Sequence, residues 1–239
     1  MTISAILFDK DGTLIDYHRT WTSINYDAAL LAARGDPQLA NRLLVIGGWD
    51  AITQRVAANS ALAAGTTFEI ATLWSKHGSE FDVVELTEAI DQKFSRGMIN
   101  AVPVTELEPL FSNLKDRGLM LGIASSDSAA AVDAFAKQYK LIGYLDFSAG
   151  YDSGHGIKPG PGMLLAFCDA VGCDPSETVV VGDNHHDMAM AESGGSGLRI
   201  AVLTGTGSRA ELEPHSDRCI ESIECLPEIL ASIEFKQSS

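Results

Sequence analysis

The 239-residue chain has no apolar run approaching the ~18–20 residues that a membrane-spanning helix needs. Its opening segment, Met1-Thr2-Ile3-Ser4, carries no basic residue ahead of the apolar stretch that follows. It reads as a core strand and not as a secretory signal, which sets the expectation of a cytoplasmic protein. Cysteine is scarce. Cys168, Cys173, Cys219 and Cys225 form no CxxC pair and show no paired-histidine zinc spacing, so they read as reduced, buried thiols. Basic residues are few: 17 Lys and Arg stand against 32 Asp and Glu, for a net charge of −15. That balance argues against nucleic acid and against anionic membrane surfaces as partners. A small anionic substrate is still allowed, because a metal and one or two local cations invert the field inside a pocket. The hydrophobic fraction of 46% is normal for a globular chain, and the length suits one large domain or a core with a smaller companion.

The most informative stretch is Ala5-Ile6-Leu7-Phe8-Asp9-Lys10-Asp11-Gly12-Thr13-Leu14. A short apolar run reads as a buried strand, and it ends abruptly in two carboxylates and a glycine turn. Carboxylates one residue apart repel unless a cation or a proton separates them. Such a pair is costly for stability and useful for chemistry: one acid attacks, the other moves a proton, and an oxygen-loving metal holds both.

From about Val102 onward the pattern alternates strand and helix. Helices are expected over Glu106–Arg117 (closed by Gly118), Ser128–Tyr139, Pro161–Val171 and Met188–Glu192. Strands are expected over Leu119–Ala124, Tyr144–Ala149, Thr178–Val181, Leu198–Leu203 and near Arg218–Ile220. Continuous apolar strands separated by helices imply an α/β fold with a parallel sheet covered on both faces. The stretch from Asp16 to Ala101 differs, being alanine-rich and of helical period with no convincing strand. Thr66-Thr67-Phe68-Glu69 looks like a capping box opening a helix towards Trp74 and Lys76, and Asp82–Phe94 looks like another amphipathic helix. The expected division is a core of residues 1–15 and 102–239 with an inserted helical domain of 16–101. The tail from Glu234 to Ser239 is expected to fray.

Every informative polar cluster falls where a strand ends, which in an open parallel sheet is where ligands bind. Asp9 and Asp11, Ser125 in Ser125-Ser126-Asp127, and Asp183 with Asp187 in Gly182-Asp183-Asn184-His185-His186-Asp187 therefore converge at one edge. Lys158, in Gly156-Ile157-Lys158-Pro159-Gly160-Pro161, precedes a helix and reaches the same edge.

DKDGTL at the first strand, a serine ending the second, a lysine in a KPxP-like loop and GDxxxD resemble the four motifs of the haloacid-dehalogenase-like phosphohydrolases. They occur in that family's order and span the chain. The helical insertion after the first motif resembles the cap of the phosphoglycolate-phosphatase-like branch. The resemblance implies a doubly wound, Rossmann-like core and a phosphatase acting on a small phosphorylated metabolite, of the phosphoglycolate or sugar phosphate type. It implies Asp9 as nucleophile, forming an aspartyl-phosphate, and Asp11 as the acid and then the base. Mg²⁺ is implied, held by the Asp9 carboxylate, the Asp11 backbone carbonyl and Asp183. Ser125, with the Ser126 backbone N–H, would hold a phosphoryl oxygen, Lys158 would neutralise nucleophile and phosphoryl group, and Asp187 would orient Lys158 or a metal-bound water.

The same residues have plainer roles beside these: a turn for the acidic pair, a helix cap for Ser125, a solvated loop for Lys158, a first-turn helix acid for Asp187. His185 and His186 read as solvent-facing or supporting residues and not as metal ligands. Trp49, Trp74 and Phe81 read as core of the insertion. Cationic and polar candidates for specificity within it are His18, Arg19, Arg34, Arg42, Arg55, His77 and Arg96, with His18 and Arg19 foremost because they follow the first motif closely. Ser126 departs from the Thr-Asn usual in phosphoglycolate phosphatases, which weakens a claim for that substrate. A sugar phosphomutase shares the acid pair and the cap. A response-regulator-like phospho-acceptor is shorter and carries its acceptor on a middle strand. A catalytically silent binding protein would lack a core motif residue, and none is missing. Monomer and homodimer are both open.

Overall fold

The computed structural model describes residues 2–231 and 234–235. Six parallel strands form the central sheet: β1 (Ala5–Phe8), β2 (Met120–Ala124), β3 (Phe147–Ala149), β4 (Thr178–Gly182), β5 (Leu198–Val202) and β6 (Arg218–Ile220). Their spatial order is β3-β2-β1-β4-β5-β6. The chain thus builds outward from β1 to one edge, returns to the middle, and builds outward to the other. That reversal between β1 and β4 is the topological switch point of a doubly wound sheet.

Alternate residues of β1 serve opposite faces. Ile6 and Phe8 join one core cluster with Phe111, Leu114 and Phe135, while Ala5 and Leu7 join another with Phe167 and Met190. All four residues are fully buried, which is why the strand reads as an unbroken apolar run. The helices of the first layer are α5 (Leu107–Asp116) and α6 (Ala129–Gln138); those of the second are α7 (Gly162–Val171) and α8 (His185–Gly194), numbered after four helices of the insertion. In α5 the buried Leu107, Leu110, Phe111 and Leu114 recur at helical spacing and make one apolar stripe.

The insertion contains α1 (Tyr17–Ala32), α2 (Pro37–Gly47), α3 (Thr67–Lys76) and α4 (Val83–Gly97). Each starts where a polar residue satisfies free amides: Asp16, Asp36, Thr66 and Asp82 all accept from backbone N–H groups of the first turn. Thr66 and Glu69 form the expected reciprocal box, at 3.2 and 2.8 Å. The chain leaves the sheet and comes back to it side by side. Asp16 N–H donates to the Val102 carbonyl (2.8 Å) and Val104 N–H to the Leu14 carbonyl (3.1 Å).

Three details differ from the sequence expectation. Trp49–Asp50 and Arg55–Val56 pair as a two-residue antiparallel ladder inside the otherwise helical insertion. Tyr144 and Leu145 form a turn, so β3 begins only at Phe147, where pairing with Gly122 of β2 starts. Helix α8 starts at His185, because Asn184 is its cap. Of the tail expected to fray, Glu234–Phe235 pair with Thr2–Ile3, and 236–239 lie outside the described residues. The four cysteines are free.

Trp74 is fully buried and its indole N–H donates to the Leu43 carbonyl at 2.9 Å, tying α3 to α2. Trp74→Ala should cost about 3–5 kcal/mol. A urea titration followed by far-ultraviolet circular dichroism checks it, and an unchanged midpoint would remove Trp74 from the core of the insertion.

Candidate active site

Strands β1 and β4 are neighbours in register, Phe8 opposite Val181, so the residues that follow them emerge side by side. The Asp9 amide donates to the Val181 carbonyl (2.8 Å), which holds the Asp9 side chain level with Asp183. Lys158 arrives from the loop before α7, and its Nζ sits 2.6 Å from both Asp9 Oδ1 and Asp187 Oδ1. The other Asp187 oxygen accepts the Asn184 N–H (3.0 Å) in the capping box of α8. Asp187 is therefore at once a helix-capping acid and the partner of Lys158.

Carboxylate oxygens of Asp9, Asp183 and Asp187 lie within 4.8 Å of one another, and all three residues are buried. The packing around Asp183 admits only glycine. A Cβ on Gly205 would lie 1.8 Å from Asp183 Oδ2, and one on Gly12, already at φ +90°, would lie 2.6 Å from Asp183 Cγ. Asp183 spends Oδ2 on the Thr206 N–H (2.8 Å).

Crowding of this kind shows in the proton affinities. Burial raises Asp9 to about 7; Lys158 pulls it back, while Asp187 and Asp11 push it further up. Burial, then Asp9, then Asp187 raise Asp183 well above the usual carboxylate range. Burial opposes the charge on Lys158, but Asp187 and Asp9 outweigh it and raise its pKa. Asp9 Oδ2 is buried with no hydrogen-bond partner. An unsatisfied anionic oxygen among mutually repelling carboxylates fits a hard divalent cation, whose ligands are oxygens. Asp9 and Asp183 have oxygens to offer it, whereas both oxygens of Asp187 are engaged.

Asp11 lies beside this group with its carboxylate fixed by three donors. Lys10 Nζ and the Trp21 indole N–H both reach Oδ1 at 2.7 Å, and Ser125 Oγ stands 3.4 Å from Oδ2. Ser125 is fully buried and its Oγ also accepts the Asp127 N–H (3.0 Å); Ser128, not Ser125, caps the following helix. Ser126 is the serine that lines the cavity wall.

Sequence reasoning missed Lys10, Asp127 and Trp21. Lys10 is fully buried, with Nζ also 3.2 Å from Asp127 Oδ2 and 5.5 and 5.8 Å from the Trp21 and Phe135 ring centres. Burial opposes its charge, but Asp11 and Asp127 outweigh it and raise its pKa. Burial pushes Asp127 up to about 6 against the pull of Lys10. The signal for Lys10 was its place in a motif hemmed by acids; that for Trp21 was helical spacing, since Tyr17, Trp21 and Asn25 line the cavity at intervals of four.

That same spacing explains why His18 and Arg19 do not face the cavity as expected. They occupy other faces of α1: Arg19 is exposed, and His18 is half-buried with its ring against Tyr17. His186 lines the cavity, whereas His185 packs edge-on against His215 at 4.6 Å. The cleft these residues line is partly open to solvent.

A doubly wound sheet with acids at its switch point and a helical insertion over them defines a class of α/β hydrolase. Residues 3–195 match the haloacid dehalogenase-like hydrolase family, and the chain belongs to it. A "Pyrophosphatase PpaX" of Bacillus mycoides is 30% identical over 134 residues, 54% of this chain and 62% of that protein. The chain thus spans less than two thirds of that relative's length. "Phosphoglycolate phosphatase 1" of Pseudomonas aeruginosa is 26% identical over 205 residues, covering 83% of this chain and 68% of that one. The structure of a hydrolase from Pseudomonas syringae superposes with a TM-score of 0.71 at 22% identity, over 97% and 99% of the two chains. No described helix is long and apolar enough to cross a membrane.

Lys10→Met keeps the bulk but removes the charge that Asp11 and Asp127 share, so it should destabilise the fold by about 3–5 kcal/mol. Adding Asp127→Asn should recover at least ~1 kcal/mol of that, since the stranded buried charge is then gone. A double-mutant cycle in urea reads both numbers, and additive losses would refute the pairing.

Asp9 and Asp183 have folded-state pKa values above their unfolded ones near 4. Their contribution to stability is present below that value and is lost as pH rises, for Asp9 through about 7. The rise in Tm produced by Mg²⁺ should therefore be larger at about pH 8 than at about pH 5. Thermal melts with Mg²⁺ and with EDTA test it, and a Mg²⁺ effect that shrinks with pH would contradict it.

Proposed function

We propose that the chain is a Mg²⁺-dependent phosphatase that hydrolyses a small phosphate monoester through an aspartyl-phosphate on Asp9. The observation that carries this reading is Asp9 itself. One oxygen is pinned by Lys158 at 2.6 Å, and the other is buried, unbonded and beside the cavity that the acid Asp11 also lines.

In the first step a carboxylate oxygen of Asp9 attacks phosphorus, the ester P–O bond breaks, and its electron pair leaves on the alcohol oxygen. Asp11 delivers the proton that makes the leaving group an alcohol. In the second step Asp11 takes a proton from water as the water oxygen attacks phosphorus. The bond to Asp9 breaks, releasing inorganic phosphate and the free carboxylate. Lys158 offsets the negative charge that two approaching anions bring together, and Asp187 holds Lys158 in place. Ser125 keeps Asp11 oriented, and the Ser126 backbone N–H is the candidate donor to a phosphoryl oxygen. Asp9, Asp183 and the Asp11 carbonyl would hold the metal, which supplies charge neutralisation to the phosphoryl oxygens when bound. The relatives named as phosphatase and pyrophosphatase support phosphoryl transfer to water as the reaction class.

The test is phosphate release from a panel of small monoesters, with Mg²⁺ and with EDTA. Asp9→Asn should lose ~10³-fold or more in kcat with its fold intact, and EDTA should stop the wild type. Turnover by Asp9→Asn at the wild-type rate would overturn the nucleophile assignment. A labelled aspartyl-phosphate that survives in water would favour a mutase or a phospho-acceptor.

A further inference from the structure

Resting on the phosphatase reading of the same cavity, we propose that its leaving-group side selects an uncharged alcohol phosphate over esters whose leaving group carries a second anion. The wall opposite the acids comes from the insertion. It presents Tyr17, Trp21 and Asn25 from α1, Leu62 from the turn before α3, Ile70 from α3 and Phe94 from α4. This surface is aromatic and aliphatic apart from the Asn25 amide, the Thr67 hydroxyl and the tyrosine hydroxyl, which donates to the Leu62 carbonyl.

Positive charge is absent from that wall. Arg19, Arg34, Arg42, Arg55, His77 and Arg96 of the insertion are all exposed, and none lines the cavity. Among the described residues, Lys158 is the one lysine or arginine that does, and its ammonium is already shared between Asp9 and Asp187. Lys10 lies behind the wall, taken up by Asp11 and Asp127. Five aspartates line the space: Asp9, Asp11, Asp127, Asp183 and Asp187. The phosphate is provided for; a carboxylate or second phosphate on the leaving group meets an apolar wall and a negative field.

Asn25 supplies the positive half of the selection. It is 2% exposed, it lines the cavity, and its amide lies against the Tyr17 hydroxyl with an N–H to spare. A buried amide donor without a partner is suited to a neutral hydroxyl or carbonyl oxygen of the leaving group. His186, on the core side, is the other side chain able to bring a cation to the cavity.

A matched pair of substrates tests the selection: 2-hydroxyethyl phosphate and phosphoglycolate differ in charge at similar size, and pyrophosphate adds a second phosphate. With the full chain and Mg²⁺, kcat/KM should favour 2-hydroxyethyl phosphate over both by on the order of 100-fold. The same order of affinity should appear by calorimetry on Asp9→Asn, where no turnover is needed. Asn25→Ala should raise KM for 2-hydroxyethyl phosphate with little change in kcat, and Asn25→Lys should move the ratio towards phosphoglycolate. Equal or better use of phosphoglycolate or pyrophosphate overturns the proposal, and loss of that preference in His186→Gln would identify the cation responsible. Tighter binding of the neutral ester to Asp9→Asn without turnover by the wild type upholds the subsite and refutes the phosphatase reading. Binding of neither ester at millimolar concentration refutes both.

Discussion

Mutual repulsion of buried carboxylates at the switch point is the constraint around which the rest of this structure is arranged. Asp9, Asp183 and Asp187 come together because β1 and β4 are neighbours and α8 starts straight after β4. Left alone, such a cluster would protonate or force the sheet apart. Lys158 bridges two of the three at 2.6 Å each, and Asp187 discharges its second oxygen on a helix amide. Asp183 turns one oxygen to the Thr206 amide. One buried oxygen of Asp9 is left with no bond. A cluster that keeps oxygens free on Asp9 and Asp183 while its other oxygens are bonded suits a cation better than it suits stability.

A second compensated cluster stands beside the first and is kept separate from it. Lys10 pairs with Asp11 and Asp127 as Lys158 pairs with Asp9 and Asp187. Adjacent residues of an extended chain point to opposite sides, so Asp9 and Asp11 share a side while Lys10 is sent into the interior between Trp21 and Phe135. The two aspartates of the motif are thereby held by different lysines. Their partners differ, although the Asp11 charge still pushes Asp9 up.

Much of this was legible in the sequence. Continuous apolar strands ending in Asp9, Ser125 and Asp183 gave the parallel sheet and the edge on which polar residues meet. Two helix boundaries in the insertion followed from Thr66 and Asp82, because capping chemistry is local, whereas the caps at Asp16 and Asp36 were not read as such. What escaped was non-local or too short to have a period. A two-residue ladder such as Trp49–Asp50 with Arg55–Val56 carries no alternation to detect. Tyr144 and Leu145 have strand-like composition but no partner opposite them, since β2 begins pairing with β3 only at Phe147. Arg19 and His18 drew notice for their charge, whereas the cavity-facing side of α1 is read from spacing, at Tyr17, Trp21 and Asn25. The partnership of Lys10 with Asp127 spans 117 positions, and no local pattern reports it.

The position of α1 links the insertion to the chemistry more tightly than a separate lid would. The helix follows the acidic motif after a short turn, capped by Asp16, so Asp9, Asp11 and the cavity wall lie on one continuous segment. Trp21 crosses from insertion to core and donates its indole N–H to Asp11, while Lys10 Nζ reaches back to the Met98 sulfur at 3.3 Å. On the far side Tyr151 of the core donates its hydroxyl to Asp91 of α4 at 2.7 Å. Trp21 lines the cavity wall and holds the Asp11 carboxylate at once, so a single side chain joins the wall to the acidic motif.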